Sequence, residues 1–131
     1  NNYLIKKITR IEIMSNLIEL PTFSDDSGNL TVIEKQIPFN VKRVFYIYNV
    51  DNSKRGFHKH KKTRQFAICL NGSCDIVFKL NKEAITFKLD SPTKGLLIEP
   101  EDFHWMESFS NGAVLLVLAS EYYDKNDYVF N

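Results

Sequence analysis

No run in this 131-residue chain approaches the roughly 18 consecutive apolar residues that a membrane-crossing helix requires. A signal-peptide pattern, internal repeats, linkers and low-complexity stretches are also missing, so the expectation is one compact cytoplasmic domain over residues 1–131. An excess of one charge is lacking too. Lys and Arg number 17 against 16 Asp and Glu, a formal net charge of +1. That balance excludes broad electrostatic attraction to nucleic acid or an anionic membrane, and it leaves any bound anion to a few placed cations. Cysteine is scarce. Cys69 and Cys74 form no CxxC pair and have no histidine at metal-ligand spacing. Zinc is therefore not expected, and the two are read as small buried thiols rather than a redox pair.

What the chain does have is short runs of apolar alternation. They extend over Leu30–Glu34, Arg43–Val50, Gln65–Leu70, Cys74–Leu80, Ala84–Leu89, Gly95–Glu99 and Ala113–Ala119. In Arg43-Val44-Phe45-Tyr46-Ile47-Tyr48 the β-branched and aromatic residues suit a half-buried pleated strand. Turn formers separate the runs at Ser27-Gly28-Asn29, Asn71-Gly72-Ser73, Asn81-Lys82 and Ser110-Asn111-Gly112. A strand every 8–12 residues or so predicts an all-β sandwich or barrel. The stretch Tyr3 to Leu20, with Ile5, Ile8, Ile11, Ile13, Leu17 and Ile18 among charges, fits two arrangements. It is either an arm exchanged across a dimer, covering a sheet edge, or a strand within its own barrel.

All three histidines fall in two neighbourhoods. His58 and His60 lie two apart, and on a strand they share a face. His104 follows Pro100-Glu101-Asp102-Phe103, after the Gly95–Glu99 run. Near neutral pH, imidazole both takes and gives a proton, which suits acid–base chemistry, and it also ligates metals. The bland alternative for His-x-His is a solvated strand.

An all-β chain with His-x-His and a later third histidine resembles the cupin superfamily, whose jelly-roll barrel is the fold expected here. Where a metal-binding cupin carries a carboxylate ligand, with four residues between it and the second histidine, this chain has Gln65, and Gly72 follows in register. The chain further resembles the sugar 3,4-ketoisomerases within that superfamily. Ile37-Pro38-Phe39 with Arg43-Val44-Phe45-Tyr46-Ile47 is similar to their IPF…RVYYI, and Arg55-Gly56-Phe57-His58-Lys59-His60-Lys61 to RGxHAHK. Gln65 with Cys69-Leu70-Asn71-Gly72-Ser73 is similar to QxLxCLNGS. Pro100 with His104 and Met106 resembles PxxWHxM, and Leu118-Ala119-Ser120 with Tyr123-Asp124 and Asp127-Tyr128 resembles LAS…YDxxDYI.

The resemblance implies a metal-free, cofactor-free homodimer that moves the carbonyl of dTDP-4-keto-6-deoxyglucose from C4 to C3. By the same resemblance His58 is the base at C3, His60 shuttles a proton between the C3 and C4 oxygens, and His104 lies near the sugar. The histidine at 104 inclines the expected product to the galacto isomer. Arg55 is the chosen pyrophosphate clamp, because guanidinium is a fixed, always charged donor fork. Arg43, Lys62, Gln65 and Tyr46 are further substrate-binding candidates, although Arg43 and Lys62 read equally well as solvated cations. Phe66 and Tyr48 are candidates to stack on thymine. Phe45 stands where the family often has a tyrosine, and strand alternation sets Tyr46 on the opposite face. Ser27 stands where members often carry Arg or Tyr. The competing expectations are a metal-dependent cupin, a nucleotide-sugar 3,5-epimerase and a non-catalytic carbohydrate-binding cupin.

Overall fold

A computed structural model describes residues 16–131. Its strands are β1 (Leu17–Glu19), β2 (Thr22–Asp25), β3 (Gly28–Thr31), β4 (Arg43–Tyr48), β5 (Arg55–His60) and β6 (Gln65–Asn71). They continue as β7 (Cys74–Leu80), β8 (Glu83–Leu89), β9 (Lys94–Ile98), β10 (His104–Glu107), β11 (Val114–Ala119) and β12 (Tyr128–Val129). One sheet has the order β1-β9-β6-β11-β4, the second β12-β5-β10-β7-β8, and β2 and β3 form a separate hairpin. Every pairing is antiparallel. The all-β expectation holds, and the two sheets face each other across a shared core. Among the described residues no helix is long and apolar enough to cross a membrane.

The core follows from period-2 alternation. Ala67, Cys69, Leu96, Ile98, Leu115 and Val117 from the first sheet meet Ile76, Phe78, Phe87, Leu89 and Met106 from the second. Cys69 and Cys74 are free and buried, and the Cys69 thiol donates to the Asn71 carbonyl at 3.1 Å. The first sheet is apolar on its outer face as well. There Phe66, Ile68 and Leu118 are covered by Ile33, Ile37 and Phe39. Arg64 ties that cover down, donating to the Pro38 carbonyl at 2.7 Å and to both Glu99 carboxylate oxygens at 2.7 and 3.0 Å. The Ile37-Pro38-Phe39 motif is therefore a packed lid on the sheet.

One sequence expectation needs correction, and two others become more definite. The run Leu30–Glu34 is not one strand, because β3 ends at Thr31 and, after Val32 donates to the Pro21 carbonyl at 2.9 Å as a last rung, the chain leaves the ladder. His104 follows β9, as read, and opens a strand of its own, β10. Of the N-terminal stretch, Leu17–Glu19 pairs with β9 of the same chain, while Tyr3 to Ile13 lies outside the described residues.

Gly95 sits opposite Ile18, where the outer-face ring of Phe66 lies directly against its backbone. A Cβ there would overlap that ring and stand 2.9 Å from Ile68 Cγ1. Gly95→Ala should destabilise the fold by about 1–3 kcal/mol, the usual cost of overpacking. A urea midpoint within error of wild type would show that Phe66 moves aside freely.

Candidate active site

The site is built where β5 meets β10 and β12. In β5, Gly56 (φ +101°) and Phe57 (φ +58°) break the regular pleat, and the β5–β10 register shifts at the same place, between His104 and Trp105. A Cβ on Gly56 would lie 3.2 Å from the His104 carbonyl oxygen, so only glycine lets the strands approach this closely. The irregularity turns Phe57 outward, where it stacks on Trp105 with centroids 5.3 Å apart. It also allows Arg55, Gly56 and His58 to line the same cavity.

That cavity has a volume of about 160 Å³ between the sheets. Its walls are mostly apolar, from Phe45, Ile47, Ile76, Ile98, Leu115 and Val117. Polar groups enter it from Arg55, His58, Gln65, His104 and Tyr128. His58 is the cross-strand partner of His104, their rings edge-on at 5.1 Å, and the His60 ring stands edge-on to His58 at 5.0 Å. Tyr128 packs on both β5 histidines, 5.0 Å from His58 and 4.6 Å from His60.

His60 is buried behind His58. Its Nδ1 lies 2.8 Å from Asp127 Oδ2, and its Nε2 is buried without a hydrogen-bond partner. The Asp127 carboxylate also accepts from the Thr63 hydroxyl and, at 2.8 Å, from the Lys62 backbone N–H. A short 3-10 turn over Lys125–Asp127, capped by the Asp124 side chain, delivers that carboxylate and runs directly into β12. His104 is wholly buried. Its Nδ1 faces the Asp102 carbonyl at 3.0 Å, and its Nε2 is likewise unpartnered.

Residues 14–131 match the family described as FdtA: WxcM-like, C-terminal. The chain belongs to this family. It is 42% identical over 118 residues to the TDP-4-oxo-6-deoxy-alpha-D-glucose-3,4-oxoisomerase of Aneurinibacillus thermoaerophilus, covering 88% of this chain and 85% of that one. It is also similar to the 3,4-ketoisomerase QdtA of Thermoanaerobacterium thermosaccharolyticum, solved as a histidine-to-asparagine variant with TDP-4-keto-6-deoxyglucose. That match has 47% identity and a TM-score of 0.84, covering 88% of this chain and 86% of that one. A third is the WlaRB TDP-quinovose 3,4-ketoisomerase of Campylobacter jejuni, at 41% identity and TM-score 0.83, covering 88% of this chain and 91% of that one. The cupin jelly roll expected for an FdtA-like chain is the fold it has.

Electrostatics in this FdtA-like site follow from burial. Desolvation, with the neighbouring His60 charge, holds the His58 imidazole down at about 4, against the pull of the Gly56 backbone. His104 is held at about 4 chiefly by burial, offset in part by its bond to Asp102. For His60, burial pushes the pKa down, Asp127 pushes it up, Arg43 pushes it down again, and the net direction is down. Burial raises the Asp127 carboxyl, but the bonds from Thr63, His60 and Lys62 outweigh it and bring the group to about 2. At neutral pH the site therefore holds neutral imidazoles above one anchored carboxylate.

The other sequence candidates divide. Gln65 is buried and lines the cavity, and Arg55 lines it from the start of β5. Arg43 is half-buried, its guanidinium 5.2 Å from the Phe45 ring and 5.7 Å from the Tyr123 ring, with Nε unpartnered. Tyr46 does not join the site. It is 62% exposed on the outer face and stacks on Tyr48, as alternation requires, while Phe45 takes the inward position. Lys62 is exposed, and only its backbone N–H engages, on Asp127. Phe66 is buried under the outer lid and Tyr48 is outside, so neither lines the cavity. Ser27 occupies the exposed β2–β3 turn, bonded to Asp25. Among the described residues no group of three or more His, Cys, Asp or Glu side chains is arranged to hold a metal ion. Sequence reasoning missed Asp127, Thr63 and Tyr128 as site residues, although Asp127-Tyr128 formed part of a matched motif.

The buried imidazoles set a pH dependence. His58 and His104 titrate near 6.5 when unfolded and about 4 when folded, so stability is full above pH 6.5 and declines as pH falls toward 4. Asp102 works the other way, because burial raises its carboxyl to about 6, but it is one group against two. Asp127 adds a further loss as pH falls from 3.8 toward 2. The urea midpoint should therefore drop steadily between pH 6.5 and 4, and a flat profile over that window would contradict the neutral buried pair.

Proposed function

We propose that this chain is an isomerase that converts TDP-4-keto-6-deoxyglucose to a TDP-3-keto-6-deoxyhexose. The observation that carries the proposal is the pair of neutral imidazoles, His58 and His104, lining a cavity with mostly apolar walls, with a third, His60, directly behind His58. The relatives support it. One is a 3,4-oxoisomerase, and another holds TDP-4-keto-6-deoxyglucose.

The chemistry requires a proton to leave C3, another to pass between two oxygens, and one to arrive at C4. In the proposed sequence, neutral His58 takes the C3 proton, and the C–H electrons form the C3–C4 double bond as O4 becomes an oxyanion. His60 accepts the O3 proton through its unpartnered Nε2 and delivers it to O4. The electrons on O3 then form the C3 carbonyl while C4 takes a proton from the His58 imidazolium. An imidazole held near 4 is wholly in its base form at pH 7, and its conjugate acid returns a proton readily. Arg55, at the cavity wall, is the proposed pyrophosphate clamp, with Gln65 a neutral amide beside the sugar. His104, wholly buried with a free Nε2, is proposed to orient the sugar so that C4 is protonated to the galacto product.

We infer also that two copies pair through the outer face of the first sheet. Val44, Tyr46 and Tyr48 project from β4, an edge strand among the described residues, and all are more than half exposed. An apolar, unpaired edge of this kind is normally covered. Sedimentation equilibrium should give a dimer, and Tyr46→Asp with Tyr48→Asp should shift it toward monomer. A wild-type monomer at micromolar concentration would end this inference.

Incubation with TDP-4-keto-6-deoxyglucose and NMR of the product tests the main proposal. A 3-keto product with a small H4–H5 coupling is expected. His58→Asn should bind substrate yet lose turnover by about 100-fold or more, together with C3 hydrogen exchange into deuterated solvent. In the same assay Arg55→Ala should weaken TDP-sugar binding by roughly 10- to 100-fold, the scale of a lost charge-assisted pair. A folded His58→Asn protein that exchanges C3 at the wild-type rate removes His58 from the role of base.

A further inference from the structure

The His60–Asp127 pair is more constrained than a shuttle residue needs for stability alone. Asp127 is 5% exposed, and its carboxylate is met by three donors from one short stretch at the end of β5: His60 Nδ1, the Lys62 backbone N–H and the Thr63 hydroxyl. An ionised carboxylate only accepts hydrogen bonds. The ring must therefore present N–H at Nδ1, and the lone pair is fixed at Nε2. The arrangement is held from both ends. The Lys61 N–H donates to the Asp127 carbonyl at 2.9 Å, and Tyr128, the next residue, is the ladder partner of His60.

We propose that Asp127 is the positioning residue of His60, fixing the Nδ1–H tautomer so that one atom, Nε2, both takes and returns the proton. This rests on the ketoisomerase proposal. Without the carboxylate, the two tautomers of a buried imidazole become comparable, and in the Nε2–H form the ring has no lone pair to offer O3. The carboxylate also stabilises the transient imidazolium, against the other groups around the ring. Those are Arg43 from β4, His58 on β5 and His104 on β10, with Tyr128 packed on it from β12. His104 supplies the contrast. Its Nδ1 is held by a neutral carbonyl, which fixes a tautomer without favouring a charge.

Nitrogen NMR of histidine-labelled protein tests the tautomer, and kinetics test its consequence. In wild type at pH 7, His60 should be the Nδ1–H form. In Asp127→Asn the amide can donate to Nδ1, so the ring should become Nε2–H. The kcat should fall by roughly 100-fold with KM within about threefold, while C3 exchange, the His58 step, persists. An Nε2–H ring in wild type overturns the proposal, and that measurement stands even if the variant does not fold. So does an Asp127→Asn protein with its tautomer changed and its kcat intact. Failure of wild type to turn over TDP-4-keto-6-deoxyglucose would instead overturn the functional reading, leaving the tautomer result as measured.

Discussion

The close approach of β5 to β10 at Gly56 is the contact on which the site depends. Any side chain at 56 would press on the His104 carbonyl oxygen and the Trp105 backbone, and the local φ of +101° is one that L residues rarely adopt. Because the strands meet there, His58 comes directly opposite His104. Because the pleat breaks there, Arg55 reaches the cavity instead of pointing out with Phe57. One glycine thus sets the spacing of two imidazoles and the face of a cation.

The second constraint is electrostatic. His60 and His104 each stand about 5 Å from His58; the three imidazoles cannot all be protonated beside a mostly apolar cavity, and burial settles the matter in favour of the neutral forms. A buried polar cluster is tolerable only when its donors are satisfied. Asp127 and the Asp102 carbonyl meet that need on one side of the His60 and His104 rings respectively, leaving the opposite nitrogens of those two as the unpaired atoms. Satisfaction of the fold and availability for chemistry are divided between the two nitrogens of one side chain.

How far this was legible in the sequence depended on distance along the chain. The β4, β6, β7 and β8 runs were plain from alternation, and so was the outward turn of Tyr46, since period 2 admits no other result once Phe45 points in. His-x-His on one face was legible for the same reason. The placement of Arg55 beside His58 was not, because it depends on an aromatic residue, Phe57, adopting a positive φ that residue type does not announce. Strand β10 was hidden by its four-residue length. Asp127 was hidden by the 67 residues separating it from His60, and no local pattern joins a C-terminal turn to a mid-chain strand. Resemblance flagged the Asp127-Tyr128 motif, and only the fold gave it a partner.

The exchange of tyrosine for Phe45 can be followed through the cavity. An inward phenol on β4 would set a second proton carrier among Ile47, Leu115 and Val117. With phenylalanine there, the described imidazoles lining the cavity come from the β5–β10 side, His58 and His104, with His60 behind them. On the proposed mechanism proton traffic is confined to one sheet of the sandwich, and among the described residues the first sheet supplies an apolar wall interrupted only by Gln65. An amide gives and accepts hydrogen bonds without titrating. In the proposed reaction it would hold a sugar oxygen throughout and leave the count of protons to the imidazoles opposite.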